Sequence, residues 1–178
     1  MNTTDLNNQK TEQHATPAST RYRRQFVRKA MEGFYKNFAP ESRPVYVSGI
    51  GGAHDTIDEA VFDRLGIDTD HERGKWPNVI FYCAKRGWLF LLDPIIGRHA
   101  FEGDRLGELH RLLHQPKAEI VYVLAFKTRR VMGWNLSKIP WGAHAWAADE
   151  PTHLVHFNGS LWMEPHVCVT GDNRLEAR

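Results

Sequence analysis

Two apolar runs joined by a tight turn constrain this chain more than any other feature. The runs span residues 76–83 and 88–95, and residues 84–87 form the turn between them. Aromatic and aliphatic residues dominate both runs, so the segment predicts a buried antiparallel hairpin. Asn78 opens the first run and Asp93 closes the second, and these two ends meet in such a hairpin. Because a carboxylate at a dry end of a sheet needs a partner, the pair predicts a divalent metal site.

Length and composition indicate a globular protein. The 178 residues are 42% hydrophobic and include six Trp and nine Phe, which is enough for one domain with a core. The net charge of +2 excludes a polycation. Cys83 and Cys168 form no metal-binding cluster, and no stretch has the length of a membrane span or a signal segment. We therefore expect a reduced, cytoplasmic protein without membrane contact.

The hydrophobic pattern divides the chain into four parts. Residues 1–20 are polar and predict a disordered tail. Residues 21–40 predict a basic amphipathic helix, because apolar side chains recur there every four positions. We expect the main domain at residues 44–165 and a second tail at residues 166–178. Within the domain, the near-continuous apolar run at 120–126 predicts a strand of an α/β sheet.

The remaining patterns of this domain predict shorter elements. Strands are expected at 45–47, 143–148 and 152–157, and helices at 55–65 and 104–114. Glu59 on the first of these helices is a candidate acid for the site. A solvated position near the helix start is its alternative.

Two groups of basic side chains are candidates for phosphate contact. Arg24 and Arg28 lie on the first predicted helix, whereas Lys127, Arg129 and Arg130 follow the strand at 120–126. Clustered arginine and lysine form the electrostatic footprint of a nucleic-acid site, and ligand sites often lie at strand ends. The alternatives are a solvated helix face for the first group and a solvated loop for the second.

Histidines and tryptophans near the C-terminus have two interpretations each. His144, His153 and His156 are more readily explained as histidines hydrogen bonded within the sheet than as zinc ligands. The tryptophans could stack on bases, although core packing is their commoner role; they are Trp134, Trp141 and Trp146.

The segment 139–159, IPWGAHAWAADEPTHLVHFNG, closely resembles the C-terminal signature of the BsuBI/PstI family of type II restriction endonucleases. That signature runs roughly I-A-W-x-T-E-V-W-I-A-x-x-P-x-H-M-I-H-F-N-G. The resemblance covers residues 44–165. Further positions follow the family pattern in order: Leu65-Gly66-Ile67, Gly74-Lys75, Pro77, Trp88-Leu89, Arg105, Glu108-Leu109 and Ala125-Phe126.

The resemblance implies an α/β fold of the restriction-endonuclease-like, PD-(D/E)xK type, with a central mixed sheet flanked by helices. It also implies Mg²⁺-dependent cleavage of double-stranded DNA, in which acids hold the metal that activates water. Asp93 and Asn78 are then the catalytic and metal-ligating candidates. Arg98, a candidate for DNA contact, and His99, a candidate base, follow them closely in the chain. Relatives that cut palindromic sites are often dimers, so a homodimer is one candidate assembly.

The sequence departs from the family pattern at the presumed site. The family has Pro-Asp at Pro77-Asn78, Glu-x-Val at Asp93-Pro94-Ile95, and a lysine at Asp104. An amide offers an oxygen to a metal but brings no charge. Three hypotheses follow: a restriction-endonuclease-like protein that binds DNA and cuts it with Mg²⁺, a decayed relative that acts as a DNA-binding or protein-interaction module, and a nuclease toxin or defence effector.

Overall fold

The computed structural model describes residues 17–50, 53–69, 73–97, 104–114 and 116–157, with side chains from residue 20 onward. These residues form one mixed sheet with helices on both faces. The strands are β1 (Arg43–Val47), β2 (Thr56–Ile57), β3 (Val79–Cys83), β4 (Trp88–Ile95), β5 (Glu119–Phe126), β6 (His144–Ala147) and β7 (Leu154–His156). The helices are α1 (Pro17–Phe38), α2 (Glu59–Leu65), α3 (Arg105–Leu113) and α4 (Arg129–Asn135), with 3₁₀ turns at Arg73–Lys75 and Leu136–Lys138.

The strand order in the sheet is β2-β1-β3-β4-β5-β6-β7. β3 and β4 form the predicted antiparallel hairpin, whereas β4, β5 and β6 run parallel to one another. The parallel strands are joined by crossovers that contain α3 and α4, which is the usual way to connect parallel neighbours. The predicted mixed α/β sheet is therefore confirmed.

One face of the sheet is covered by α1. Its buried side chains recur at helical spacing, and these are Phe26, Val27, Ala30 and Phe34. Gly33 lets the helix approach the sheet closely, because a Cβ at this position would lie 3.0 Å from the ring of Trp146. The helix begins at Pro17, inside the segment predicted as a tail. Proline is compatible with the first turn because a backbone nitrogen at this position has no hydrogen-bond acceptor within the helix.

The opposite face is covered by the other three helices. Their buried residues join one hydrophobic cluster with the sheet: Val61, Phe62 and Leu65 from α2, Leu109 and Leu113 from α3, and Val131 and Met132 from α4. Alternate residues of β4 divide between the two faces, with Leu91 in this cluster and Leu92 packed beneath α1. Within the part of the chain described, no helix combines the length and hydropathy of a membrane span.

One local prediction is wrong. The helix expected from residue 55 begins only at Glu59, because residues 56–57 pair with β1 as an edge strand and Asp58 caps the helix by accepting from the backbone N–H of Val61. For the basic residues after β5, a solvated loop was one of two alternatives. Arg129 and Arg130 instead begin α4, which the Thr128 hydroxyl caps through the N–H of Val131, whereas Lys127 lies in the short connection before it.

Candidate functional site

Asn78 and Asp93 are neighbours at one end of the hairpin. The register pairs Val79 with Leu92, which places Asn78 beside Asp93. The backbone N–H of Asn78 donates to Oδ1 of Asp93 across 3.3 Å. The expected juxtaposition is confirmed, and we call this end of the sheet, where β3 begins and β4 ends, the Asp93 end.

The second oxygen of Asp93 is bound by two side chains. Arg105 Nε and the Tyr122 hydroxyl each lie 3.1 Å from Oδ2. Only 13% of the Asp93 side chain and 17% of the Arg105 side chain are exposed. A largely buried ion pair is stable only when its hydrogen bonds are complete, as they are here. We call Asp93, Arg105 and Tyr122 the Asp93 cluster.

Arg105 has further partners that fix its orientation. It is the first residue of α3, and its Nη1 donates to Oε2 of Glu108 at 2.9 Å and to the backbone carbonyl of Lys75 at 2.7 Å. The guanidinium therefore joins the start of α3, the turn before β3 and the end of β4. Because arginine presents several donors in one plane, it can satisfy all three partners at once.

The electrostatics of the cluster fix its protonation. Burial, and next the negative charge of Asp93, raise the pKa of Tyr122, so its hydroxyl stays neutral and donates. Burial alone would lower the pKa of Arg105, but the charge of Asp93 and the hydrogen bond to Glu108 outweigh burial and raise the pKa above its ordinary value. The Asp93 cluster is thus a closed arrangement of one anion, one cation and one neutral donor.

Sequence reasoning did not assign Arg105 and Tyr122 to the site. Tyr122 lies within an apolar strand and pairs with Leu91, whose side chain shares the Asp93 face of β4. A buried tyrosine hydroxyl and a buried carboxylate both need partners, which is the signal that could have joined them. The pairing also required the parallel register of β4 and β5, which the sequence does not specify.

One other predicted acid lies among the described residues. Glu59 is exposed at the start of α2. Arg98 and His99 lie outside the described residues. The candidate role of each remains a prediction.

Basic residues of the second group lie at the Asp93 end. The N–H of Lys127 donates to the carbonyl of Ile95, two residues past Asp93. The Arg129 guanidinium contacts Glu150 at 3.3 Å, and the Arg130 guanidinium lies 5.2 Å from the centre of the Trp134 ring. Arg129 is thus partly neutralised, while Arg130 is held against an aromatic face.

The beginning of α1 also lies at this end of the sheet. Arg24 Nε donates to the carbonyl of Ile50 at 2.6 Å. Ile50 follows β1, whose exit is joined to the start of β3 by the hydrogen bond from the N–H of Ser48 to the carbonyl of Asn78. Arg24 therefore approaches the Asp93 end from the opposite face of the sheet to α3.

A second contact ties the same part of α1 to this end. The Lys127 ammonium lies 5.0 Å from the centre of the Tyr22 ring. Arg28, by contrast, points along α1 toward Glu32 at 4.0 Å, with 73% of its side chain exposed. Arg28 fits a solvated helix face, whereas Arg24 and Lys127 lie at the Asp93 end.

The residues present do not fit a magnesium site as they stand. Within the described ranges, no three His, Cys, Asp or Glu side chains are grouped so that they could hold a metal ion. The carboxylate of Asp93 already accepts from a guanidinium, and that fixed positive charge opposes a dication at the same oxygen. Asn78 adds an amide in place of an acid.

A histidine pair joins the last two strands. His144 on β6 and His156 on β7 face each other in register, with their Nδ1 atoms 2.8 Å apart. One Nδ1 must donate and the other accept, so the ring that accepts is neutral. His153 instead contacts the hydroxyl of Thr152. Hydrogen bonding of His144 and His156 within the sheet is therefore confirmed.

The pair predicts acid sensitivity of the fold. Burial, and next the proximity of His156, lower the pKa of His144 from its ordinary 6.5. A histidine whose folded-state pKa is lowered contributes full stability above pH 6.5, and that stability is lost as pH falls toward the folded-state pKa. We expect the free energy of unfolding to fall on acidification from pH 7 to 5, by at most about 1.4 kcal/mol per pH unit for one proton.

Urea unfolding across this pH range measures the effect, with His144→Asn as the matched variant. The asparagine keeps a hydrogen-bonding group and cannot be protonated, so its curve should lose part of the acid slope. Equal slopes in the wild type and the variant would contradict the assignment.

The fold and the Asp93 end define a restriction-endonuclease-like α/β domain. The model of the BsuBI/PstI restriction endonuclease domain matches residues 8–160, and the chain belongs to that family. The sequence motifs indicated the family only from residue 44 onward. The matched region begins well before that residue and includes α1.

Similar proteins agree with this assignment. The chain is 32% identical over 142 residues to the type II restriction enzyme BsuBI of Bacillus subtilis, covering 80% of this chain and 45% of that enzyme. It is 26% identical over 109 residues to the type II restriction enzyme AplI of Arthrospira platensis, covering 60% of this chain and 34% of AplI. The solved structure of the SdaI restriction endonuclease superposes with a TM-score of 0.71 at 32% identity, over 80% of this chain and 45% of SdaI. The chain thus spans less than half the length of these relatives.

Proposed function

We propose that this protein is a restriction-endonuclease-like domain that binds double-stranded DNA at the Asp93 end of its sheet. The observation that carries the proposal is the convergence of Arg24, Lys127 and Arg130 at that end, from both faces of the sheet. Basic side chains placed in this way contact the phosphates of a duplex and supply much of its affinity. Family membership supports DNA as the ligand.

In this proposal the Asp93 cluster organises the surface and does not hold a metal. Arg105 donates to Oδ2 of Asp93, and its bonds to Glu108 and to the carbonyl of Lys75 keep its positive charge there. The cluster therefore links three chain segments beneath the DNA-facing surface. The protein binds duplex DNA without cleaving it.

Mg²⁺-dependent cleavage is the second candidate. The adjacency of Asn78 and Asp93, at positions where the family pattern carries acids, favours it. Asn78→Asp restores the family's Pro-Asp pair and adds a second carboxylate beside Asp93. Cleavage by this variant with Mg²⁺ or Mn²⁺, but not by the wild type, would identify a decayed nuclease. A homodimer remains a prediction.

DNA binding is tested by the anisotropy of a labelled duplex across a series of salt concentrations. We expect binding that weakens with salt, and a salt slope reduced by about one in Lys127→Gln because one phosphate contact is lost. Lys85→Gln is the matched control. Lys85 lies in the hairpin turn at the other end of β3 and β4, is 74% exposed and contacts Glu41.

The control should leave the affinity and the salt slope unchanged. Absence of duplex binding would refute the proposed function. An equal loss in both variants would refute the location at the Asp93 end, because it would show that charge alone decides binding.

A further inference from the structure

Three large apolar side chains are exposed at the end of α4 and in the segment that follows it. They are Trp134, Leu136 and Trp141, with 42%, 54% and 72% of their surfaces exposed. Buried Asn135 and Ile139 alternate with them and anchor the segment. The exposed side chains are therefore presented by a fixed backbone, and we call residues 134–141 the tryptophan segment.

The tryptophan segment borders the Asp93 end. Asn135 Nδ2 donates at 3.0 Å to the carbonyl of Gly97, which follows β4 shortly after Asp93. The Leu106 side chain lies beside Gly142, since a Cβ there would be 3.6 Å from Leu106 Cδ2. Leu106 follows Arg105 in α3, so the segment contacts both chain stretches that build the Asp93 cluster.

The backbone around Trp141 holds its ring in place. Gly142 adopts a positive φ of 86°, a conformation that side-chain-bearing residues rarely take. Its N–H donates to the carbonyl of Phe157 at 2.6 Å, and the Trp141 ring lies 6.4 Å from the Phe157 ring, measured between centres. A rigid, exposed ring loses little conformational entropy on contact with a ligand.

The charge around the segment is positive. Residues 127–148 contain Lys127, Arg129, Arg130 and Lys138 but no aspartate or glutamate. The two acids that follow, Asp149 and Glu150, both contact Arg129, through its backbone N–H and its guanidinium, whereas Arg130 lies over the Trp134 ring. Aromatic rings among basic side chains are typical of surfaces that combine base stacking with phosphate contact. This charge complementarity favours a nucleic acid over an apolar protein partner.

We propose that Trp141 stacks on a base of the bound DNA, at a step that is partly unstacked, while Arg130 and Lys138 contact the adjacent phosphates. Every base offers a π face, and an apolar wedge inserted at a base step partly unstacks that step and kinks the duplex. This inference rests on the proposed function and deepens it, because it names the DNA feature that the Asp93 end recognises.

The test compares binding of the full chain to a labelled duplex and to the same duplex with one central mismatch. Unstacking costs less at a mismatch, so the wild type should bind the mismatched duplex several-fold more tightly. Trp141→Ala should weaken binding about tenfold and abolish the preference for the mismatch. Trp141→Phe, which keeps a ring, should retain most of both.

Leu136→Ala is the matched control, since Leu136 is exposed in the same segment but has no aromatic face. It should leave both affinities unchanged. Equal binding by the wild type and Trp141→Ala would overturn the inference while leaving the proposed function intact. A loss of DNA affinity in Leu136→Ala as large as in Trp141→Ala would overturn the inference in favour of a protein contact. A change in the sedimentation of Trp141→Ala without a change in its DNA affinity would do the same. A wild type that binds neither duplex would overturn the proposed function and this inference with it.

Discussion

Replacing Asp93 by alanine is expected to lower the free energy of unfolding by about 3 kcal/mol, because it leaves the charge of Arg105 buried without its partner. The side chain of Arg105 is only 17% exposed, so water cannot replace the lost carboxylate. The Tyr122 hydroxyl loses its acceptor in the same step. Urea unfolding followed by circular dichroism measures the change.

A double-mutant cycle with Arg105→Met separates the ion pair from general effects of truncation. We expect each single substitution to be strongly destabilising and the pair together to cost less than the sum, with a coupling of at least about 1 kcal/mol. Carboxylates held ready for metal binding often limit stability, so their removal is frequently neutral or stabilising. A neutral Asp93→Ala would therefore contradict the structural role of the Asp93 cluster.

Replacing Trp146 by alanine is expected to lower the free energy of unfolding by about 3–5 kcal/mol. The residue is 1% exposed, its indole N–H donates to the carbonyl of Pro151 at 3.0 Å, and its ring packs against Phe34 and beneath Gly33 of α1. Truncation would leave a cavity between α1 and the sheet. Thermal and urea unfolding test this directly.

Trp141→Ala provides the contrast for the same residue type. Because 72% of the surface of Trp141 is exposed, its replacement by alanine should change the free energy of unfolding by no more than about 0.5 kcal/mol. Similar losses in both variants would contradict the assignment of Trp146 to the core and of Trp141 to the surface.

The sequence was sufficient for the parts of the fold that depend on local pattern. The hairpin required only two apolar runs and a turn, and it placed Asn78 beside Asp93 correctly. The helix α1 followed from apolar residues at every fourth position. Gly66, the residue after the predicted helix at 55–65, takes the left-handed cap conformation with φ 73°. These features need no knowledge of distant contacts.

What the sequence could not supply depends on long-range register. The two-residue strand β2 is too short to show a period, and it exists because it pairs with Tyr46 and Val47. The partners of Asp93 come from α3 and β5, so they are visible only once β4 and β5 are aligned in parallel. The helix that begins at Arg129 was not expected because the cap at Thr128 was not recognised.

The register of the strands gives a physical reason for two departures from the family pattern. Asn78 contributes its backbone N–H to Asp93, and this bond requires no side-chain charge. Asp104, which stands where the family has a lysine, caps α3 by accepting from the N–H of Gly107 at 2.9 Å and so positions Arg105. We propose that the substituted residues support the ion pair of Asp93 and Arg105 in place of a metal site.

The most direct test of this account is a plasmid cleavage assay with the wild-type chain and Mg²⁺ or Mn²⁺, in the same samples in which duplex binding is measured. The account predicts that the duplex is bound while the supercoiled plasmid remains intact. Nicked or linear plasmid that disappears in Asp93→Asn, with duplex binding retained, would contradict it and assign Asp93 to a working nuclease site.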